Sequence, residues 1–486
     1  MNRVSCFAGV CLFLASAGAR AVTVDAGPTA SQVIQADANN VGRFDLSGTA
    51  GVAGAVQAHV LSGETEVVAW TQVGAAADGK WAGALEGVPV GGPYRVGVRV
   101  LDAAGAPVEE VVVEDVLVGD VWLLAGQSNM QGVGARIGSE EPDPRVRVFA
   151  MNFTWRVAKD PLHVLSESPH PVHFDPAKSP EQRQAEIAAE QNGPKGGGLG
   201  VTFGKEMLRR TNRPVGLIAA AHGGTSMAQW DPALRDQGGA SLYGSMHQQV
   251  MAAGGKLRGV LWYQGESDAG PEAVPLFMDR LKALVAAMRA DFASPELPFY
   301  QVQISRFVQP DVDPVPWNQI QNLQLASEAQ IAQTAVVSAI DLPLDDAIHI
   351  GSAGLRVLGF RLANLAEKFQ YGAATLTGPR FEAVKRVDVA EGIQIRVSFT
   401  GVNGALLAAG RVHGFSISSG PEAADLACIY KMEIAPDAPN TVILWVSTLP
   451  ENPHLWYGRG LDPYCNVVDS ANMAVPVFGP QPMVFQ

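Results

Sequence analysis

The chain has 486 residues, room for two to four domains at roughly 100–200 residues each and for a substantial buried core. Hydrophobic residues make up 47% and charged residues 17%, with 52 Gly and 32 Pro, which excludes a disordered or collagen-like chain and fits a loop-rich globular one. The net charge of −13, without a clustered basic stripe, excludes sequence-independent nucleic-acid binding.

Residues 1–21 read as a signal peptide. Arg3 gives a positive start, Cys6 to Gly18 an apolar stretch, and Ala19-Arg20-Ala21 a small-x-small cleavage pattern. This predicts an exported protein, periplasmic or extracellular, whose mature form begins at Val22; an uncleaved anchor is the alternative. No later stretch approaches the ~20 apolar residues of a spanning helix, so no integral membrane span is expected. Once Cys6 and Cys11 are removed, Cys428 and Cys465 remain, and in an oxidising compartment this pair is expected as a disulfide. Two separately buried thiols are the alternative.

From residue 22 to 115, short β-rich runs (Gln57–Leu61, Glu66–Gln72, Tyr94–Leu101) separated by turns such as Ala77-Asp78-Gly79 predict an N-terminal β-sandwich domain. From residue 116 to 372 the pattern becomes α/β. Apolar strands Val118–Leu124, Val215–Ala221, Arg258–Tyr263, Phe299–Ile304 and Ala335–Ile340 alternate with helices Val201–Arg210, Pro275–Phe292, Trp317–Gln333 and Gly354–Phe369. Such alternation implies a mostly parallel sheet covered on both faces, with ligands at the carboxyl ends of its strands. Residues 373–486 read as a C-terminal β-rich domain, with strand runs at Val387–Phe399, Gly414–Ile417 and Val442–Val446. The Pro-, Gly- and His-rich segment Lys159–Gly198 is too long for a plain connector and reads as a functional lid or an insertion.

Three strand ends carry polar side chains suited to one chemistry. Val121–Ala125 runs into Gly126-Gln127-Ser128-Asn129-Met130, which puts a hydroxyl on a turn above the sheet, where a nucleophile has to stand. A helix-capping Ser is the plainer alternative, and the pattern differs from the Gly-x-Ser-x-Gly elbow. Val215–Ala221 ends in His222-Gly223-Gly224-Thr225-Ser226, where a Gly223 or Gly224 N–H can approach a substrate oxygen. Val260–Tyr263 delivers Gln264, a possible amide donor, and then Glu266. The base is sought at Asp346-Ala347-Ile348-His349, whose spacing lets the carboxylate fix the imidazole tautomer; Asp345 and Asp341 are alternative acids. Trp155, Trp230 and Trp262 are candidate sugar-stacking platforms, core packing being the commoner role. His163, His170, His173 and Asp175 lack a recognised metal spacing, so a solvated or substrate-lining loop is the preferred reading.

Gly126-Gln127-Ser128-Asn129-Met130, the Gly223-Gly224-Thr225…Trp230 block, Trp262-Tyr263-Gln264-Gly265-Glu266-Ser267 and Asp346-x-x-His349, in this order, resemble the four motifs of the sialate O-acetylesterase and acetylxylan-esterase (SASA-type) branch of the SGNH hydrolases. Gly92-Pro93-Tyr94 and Gly119-Asp120-Val121-Trp122 extend the likeness upstream. The resemblance implies an SGNH-type, flavodoxin-like parallel-sheet hydrolase domain flanked by β-sandwich-like N- and C-terminal regions. It implies Ser128 as nucleophile, His349 as base and Asp346 as its partner. The Ser128 N–H, a Gly223 or Gly224 N–H and the Gln264 side chain would form the oxyanion hole, and Trp155, Trp230, Trp262 and Glu266 would bind substrate. The implied partner is an acetylated glycan or oligosaccharide, of sialate or xylan/xyloglucan type, with no cofactor, metal or nucleic acid; oligomeric state is left open. The alternatives are an SGNH lipase- or thioesterase-like enzyme acting on other acyl groups, and an inactive glycan-binding protein.

Overall fold

The computed structural model describes residues 22–485; the expected signal peptide, with Cys6 and Cys11, lies outside the described residues. The described residues form two compact units.

The smaller unit comprises residues 22–29, 43–88 and 94–114. Its strands hydrogen-bond in the order Gly91–Leu101, Gly54–Ser62, Thr65–Ala76, Lys80–Pro89 and Val41–Thr49. Alternate side chains face its core: Val56, Ala58 and Val60 on one strand and Val96, Val98 and Val100 on its neighbour have no exposed surface, as the period-two geometry of a strand requires.

The larger unit comprises residues 30–42, 89–93 and 115–485. Its main sheet contains β1 (Val33–Gln35), β2 (Pro107–Gly126, from residue 115 onward), β3 (Val146–Phe149), β4 (Trp155–Val157), β5 (Val215–Ala219), β6 (Gly259–Tyr263), β7 (Phe299–Gln303) and β8 (Thr334–Ser338). Pairing runs β4-β3-β5-β2-β6-β7-β8, with β1 beside the start of β2. All of these pairs are parallel except β4 with β3. Every residue of β3, β5, β6 and β7 is buried, as expected of strands covered on both faces, with Arg147 on β3 and Gln301 and Gln303 on β7 the buried polar side chains. After β2 the chain fills one side with β3 and β5, then crosses to the other with β6, β7 and β8. The order therefore reverses at β2, and such a reversal opens a crevice at the carboxyl ends of the strands.

The helices in chain order are α1 (Ser128–Gln131), α2 (Pro180–Asn192), α3 (Gly200–Thr211), α4 (Leu242–Ala252), α5 (Val274–Asp291), α6 (Pro314–Gln330) and α7 (Ser352–Tyr371). The strands and helices expected in this region are present within a few residues. The segment expected as a long lid contains α2, started by a capping box in which Ser179 and Gln182 satisfy each other's backbone N–H groups. Among the described residues no helix is long and apolar enough to cross a membrane.

Residues beyond 373 form antiparallel sheets around a second apolar cluster that includes Ile395, Val397, Ile417, Leu444 and Leu455. The run expected as one strand over Val387–Phe399 is a hairpin: Arg380–Val389 turns back through Ala390 and Glu391 into Gly392–Thr400, with Gly392 at positive φ. This region belongs to the same compact unit as the parallel sheet. Gln303 on β7 joins the two, its amide bonding both the C=O and the N–H of Val477 at 2.9 and 2.8 Å. The expected Cys428–Cys465 disulfide is absent: both cysteines are free and buried. Cys428 leads into the strand Ile429–Ile434 of one sheet and Cys465 precedes the strand Val467–Asp469 of another, so each thiol packs separately in the cluster.

The loop from β8 to α7, which carries residues 341–349, is anchored by Arg361. Its side chain is fully buried and donates to both carboxylate oxygens of Asp341, to Ser338 O and to Asn472 O. Breaking a buried pair strands a charge, at about 3–5 kcal/mol. Asp341→Ala is therefore expected to lower the free energy of unfolding by about that amount, read from the denaturant midpoint; a midpoint unchanged from wild type would show that the pair contributes nothing.

Candidate active site

Three adjacent strands deliver their following residues to the crevice: β2 leads to Ser128, β5 to Gly223 and β6 to Gln264. Gly126 closes β2 at φ +132°, and a Cβ there would lie 2.2 Å from Tyr263 O, so only glycine lets the two strands approach this closely. Gln127 fixes the turn that follows. Its N–H donates to Tyr263 O at 2.8 Å, and its Oε1 accepts from Gly265 N and Ser267 N at 3.3 and 3.4 Å. Ser128 is the first residue of α1, whose cap is Gln127; its hydroxyl does not cap the helix and turns to His349.

The His349 ring lies between Ser128 and Asp346. Nε2 is 2.9 Å from Ser128 Oγ and Nδ1 is 3.0 Å from Asp346 Oδ2. A carboxylate only accepts, so Nδ1 carries the proton and Nε2 is left to accept from the serine hydroxyl. Burial pushes the Asp346 carboxyl up, but donation from the His349 ring, the Ile348 and His349 N–H groups and Lys195 outweighs it and holds this acid well below the usual carboxylate range. Lys195, at 3.2 Å, comes from the segment Lys159–Gly198. The alternative acids are committed elsewhere: Asp341 to Arg361, and Asp345 Oδ2 to the Ala135 N–H at 2.7 Å.

Sequence reasoning passed over Asn129. Its Oδ1 accepts from Ile350 N at 3.0 Å, while its Nδ2 donates to Ile348 O at 3.4 Å and to Glu266 Oε1 at 2.8 Å. One amide next to the nucleophile thus grips the backbone on both sides of His349. Glu266, expected at the substrate, instead buttresses Asn129. Its Oε2 is buried without a partner, and burial, outweighing the bond from Asn129, pushes the carboxyl up to about 7.

The expected oxyanion hole needs correction. Gln264 is fully buried, and its two amide protons go to Thr225 O at 3.1 Å and Asp268 Oδ2 at 2.6 Å. Because Asp268 can only accept, Nε2 must face it, and no proton is left for an oxyanion. Asp268 also accepts from Met227 N at 2.8 Å, so Gln264 and Asp268 together hold the loop after β5 in place. Gly223 lies against Ser128, since a Cβ on it would lie 3.2 Å from Ser128 Cβ. Its N–H donates to Gln131 Oε1 at 2.8 Å. The Ser128 N–H makes no hydrogen bond among the described residues.

The tryptophans are also corrected. Trp230 and Trp262 have no exposed surface and meet edge to face at 5.3 Å between centroids, with Trp230 Nε1 donating to Thr225 Oγ1 at 3.0 Å. Trp155 is buried against Phe149 at 5.3 Å. None has a face free for a sugar ring. His163 is buried, and burial lowers its pKa to about 4. Among the described residues no three His, Cys, Asp or Glu side chains gather as metal ligands.

Two outcomes follow from the buried carboxyls. With its folded pKa raised, Glu266 adds stability that is fully present below its ordinary pKa and is lost as pH rises through about 7. Glu266→Gln keeps the acceptor for Asn129 and removes the titration, so its melting temperature should vary less than that of wild type between pH 5 and 8; parallel curves would place the titration elsewhere. Gln264→Ala strips Asp268 of its 2.6 Å donor and should cost about 1–3 kcal/mol in denaturant unfolding, the penalty of an unsatisfied buried acceptor.

A family model described as carbohydrate esterase, sialic acid-specific acetylesterase (SASA) matches residues 118–368. A probable carbohydrate esterase of Arabidopsis thaliana is 26% identical over 272 residues, covering 50% of this chain and 88% of the plant protein. Human sialate O-acetylesterase is 25% identical over 354 residues, covering 63% of this chain and 64% of the human one, so the match spans just under two-thirds of that relative's length. A carbohydrate acetylesterase from Xanthomonas citri has the same fold, with a TM-score of 0.65 at 22% identity over 94% of this chain and 99% of that one. The match to the family model takes in the strand ends that hold Ser128, Gly223 and Gln264 together with the loop that holds Asp346 and His349, and the chain is an esterase belonging to the SASA family of carbohydrate esterases.

Proposed function

We propose that this chain is an exported carbohydrate O-acetylesterase that hydrolyses acetyl esters on glycans of sialate or xylan/xyloglucan type through a Ser128–His349–Asp346 acyl-enzyme mechanism. The observation that carries the mechanism is the placement of His349 Nε2 2.9 Å from Ser128 Oγ while Nδ1 faces Asp346. Export is supported by the N-terminal pattern of residues 1–21.

In the first half-reaction Ser128 Oγ bonds to the acetyl carbonyl carbon as its proton passes to His349 Nε2. Asp346, kept ionised, stabilises the imidazolium and holds its orientation. The developing oxyanion takes the Ser128 N–H and the N–H of the Gly223-Gly224 turn, displacing Gln131 Oε1 from Gly223. Collapse breaks the ester bond, and the sugar oxygen leaves with the proton from His349. In the second half-reaction His349 takes a proton from water, whose oxygen attacks the acetyl group, and acetate leaves Ser128 as that proton returns to Oγ.

The test is acetate release from acetylated xylan, O-acetylated sialoglycan and 4-nitrophenyl acetate by wild type and variants. Ser128→Ala is expected to lower kcat by about 10⁴–10⁶ and Asp346→Asn by about 10⁴. A folded Ser128→Ala protein that still turns over at the wild-type rate would assign the nucleophile elsewhere.

A further inference from the structure

A cavity of about 470 Å³ opens between residues 165–190 and His222. His222 ties it to the site. Its N–H donates to Gly126 O at 3.0 Å, two residues before Ser128, and the residue that follows it is Gly223, which stands against Ser128. The cavity thus begins one residue from the expected oxyanion donor, where the part of a substrate beyond the ester has to lie.

Its lining has the chemistry of a sugar site. Half-buried Phe174 contributes an aromatic ring backed by the Arg183 guanidinium at 3.7 Å from its centroid, a supported flat surface for the apolar face of a ring. His222 Nδ1 is 3.0 Å from His173 Nδ1; His173 Nε2 and His170 Nδ1 each lie 2.8 Å from Ser245 Oγ. Burial lowers the pKa of all three imidazoles, so this chain is uncharged at neutral pH. His222 Nε2, unbonded among the described residues, is therefore a neutral nitrogen matched to a hydroxyl.

The charges select against an anion. Lys178 is the only cation among the lining residues and is paired with Glu186. Asp175 also acts on Lys178 and Glu190 accepts from the Ser166 hydroxyl, but three lining acids face one lysine, so a carboxylate entering the cavity would meet net like charge, whereas hydroxyl groups can donate to the acids. We propose that this cavity is a subsite for an uncharged, hydroxyl-rich sugar ring adjoining the esterified unit, a reading that rests on the esterase function proposed above.

The test compares wild type, Phe174→Ala and the ring-retaining Phe174→Tyr on acetylated xylan oligosaccharides, O-acetylated sialoglycan and 4-nitrophenyl acetate. Wild type is expected to prefer the neutral glycan. Phe174→Ala should raise KM for the xylan oligosaccharides about tenfold beyond any change on the aryl ester, the loss of one stacking contact, and Phe174→Tyr should restore it. A parallel change on both esters, or a wild type that hydrolyses the aryl ester and prefers the sialoglycan, overturns the subsite and leaves the esterase reading intact. A wild type inert toward the aryl ester overturns the esterase reading, and the subsite with it.

Discussion

A single hydrogen bond sets the terms for the larger unit: His349 Nε2 has to reach Ser128 Oγ at 2.9 Å across 221 residues of sequence. Ser128 is fixed by β2, the strand at which the sheet order reverses, and His349 arrives on a loop with no strand of its own. The loop is therefore secured by side chains. Asn129 bonds the backbone on both sides of His349, Asp345 ties the loop to Ala135, and Arg361 of α7 holds Asp341 at its start. Each neutral bond is worth only ~1 kcal/mol net and loss of the buried Arg361–Asp341 pair more, but together they remove the freedom that would let the imidazole drift, and for a catalytic group a positional error of about 1 Å costs orders of magnitude in rate.

This arrangement buries polar groups that an apolar core would omit. Glu266 and Asp268 sit close behind the site, the first holding Asn129 and the second holding Gln264 and Met227. Burial raises the pKa of both, a cost to folding at neutral pH that serves position. Asp346 behaves in the opposite way, because its several donated bonds together outweigh desolvation, the largest single influence on it. Two classes of carboxylate result. One remains ionised beside the imidazole, and the other is buried as a brace.

What was legible in the sequence was local. Apolar runs ending in Gly126-Gln127-Ser128 and His222-Gly223-Gly224 mark strands and the turns after them, because a strand buried on both faces is mostly apolar and its exit has to accommodate close backbone approach. The motif order then located Ser128, Asp346 and His349, which the fold brings together. The misreadings have two causes: the direction of a side chain, and the pairing of segments that are distant in sequence. A tryptophan following a motif has the same letter whether it faces sugar or core, and Trp230 and Trp262 face each other. Gln264 was assigned by analogy of position, whereas the partner that claims its amide is Asp268, four residues on. The Cys428–Cys465 pairing depended on two sheets whose arrangement spacing does not encode. The start of α2 was readable, since Ser179-Pro180-Glu181-Gln182 is a capping box with proline at the first helical position, but the Pro- and Gly-rich surroundings masked it.

The segment Lys159–Gly198 links these observations. At one end it supplies His173 and Phe174 to the cavity beside His222; at the other it supplies Lys195 to Asp346. The Lys195 ammonium and the His349 ring share one carboxylate oxygen, Asp346 Oδ2. Between the two ends lies α2, which carries Glu186 and Glu190 on the cavity side. One short stretch of backbone, Gly193 and Pro194, therefore joins the helix that walls the cavity to the lysine that meets Asp346.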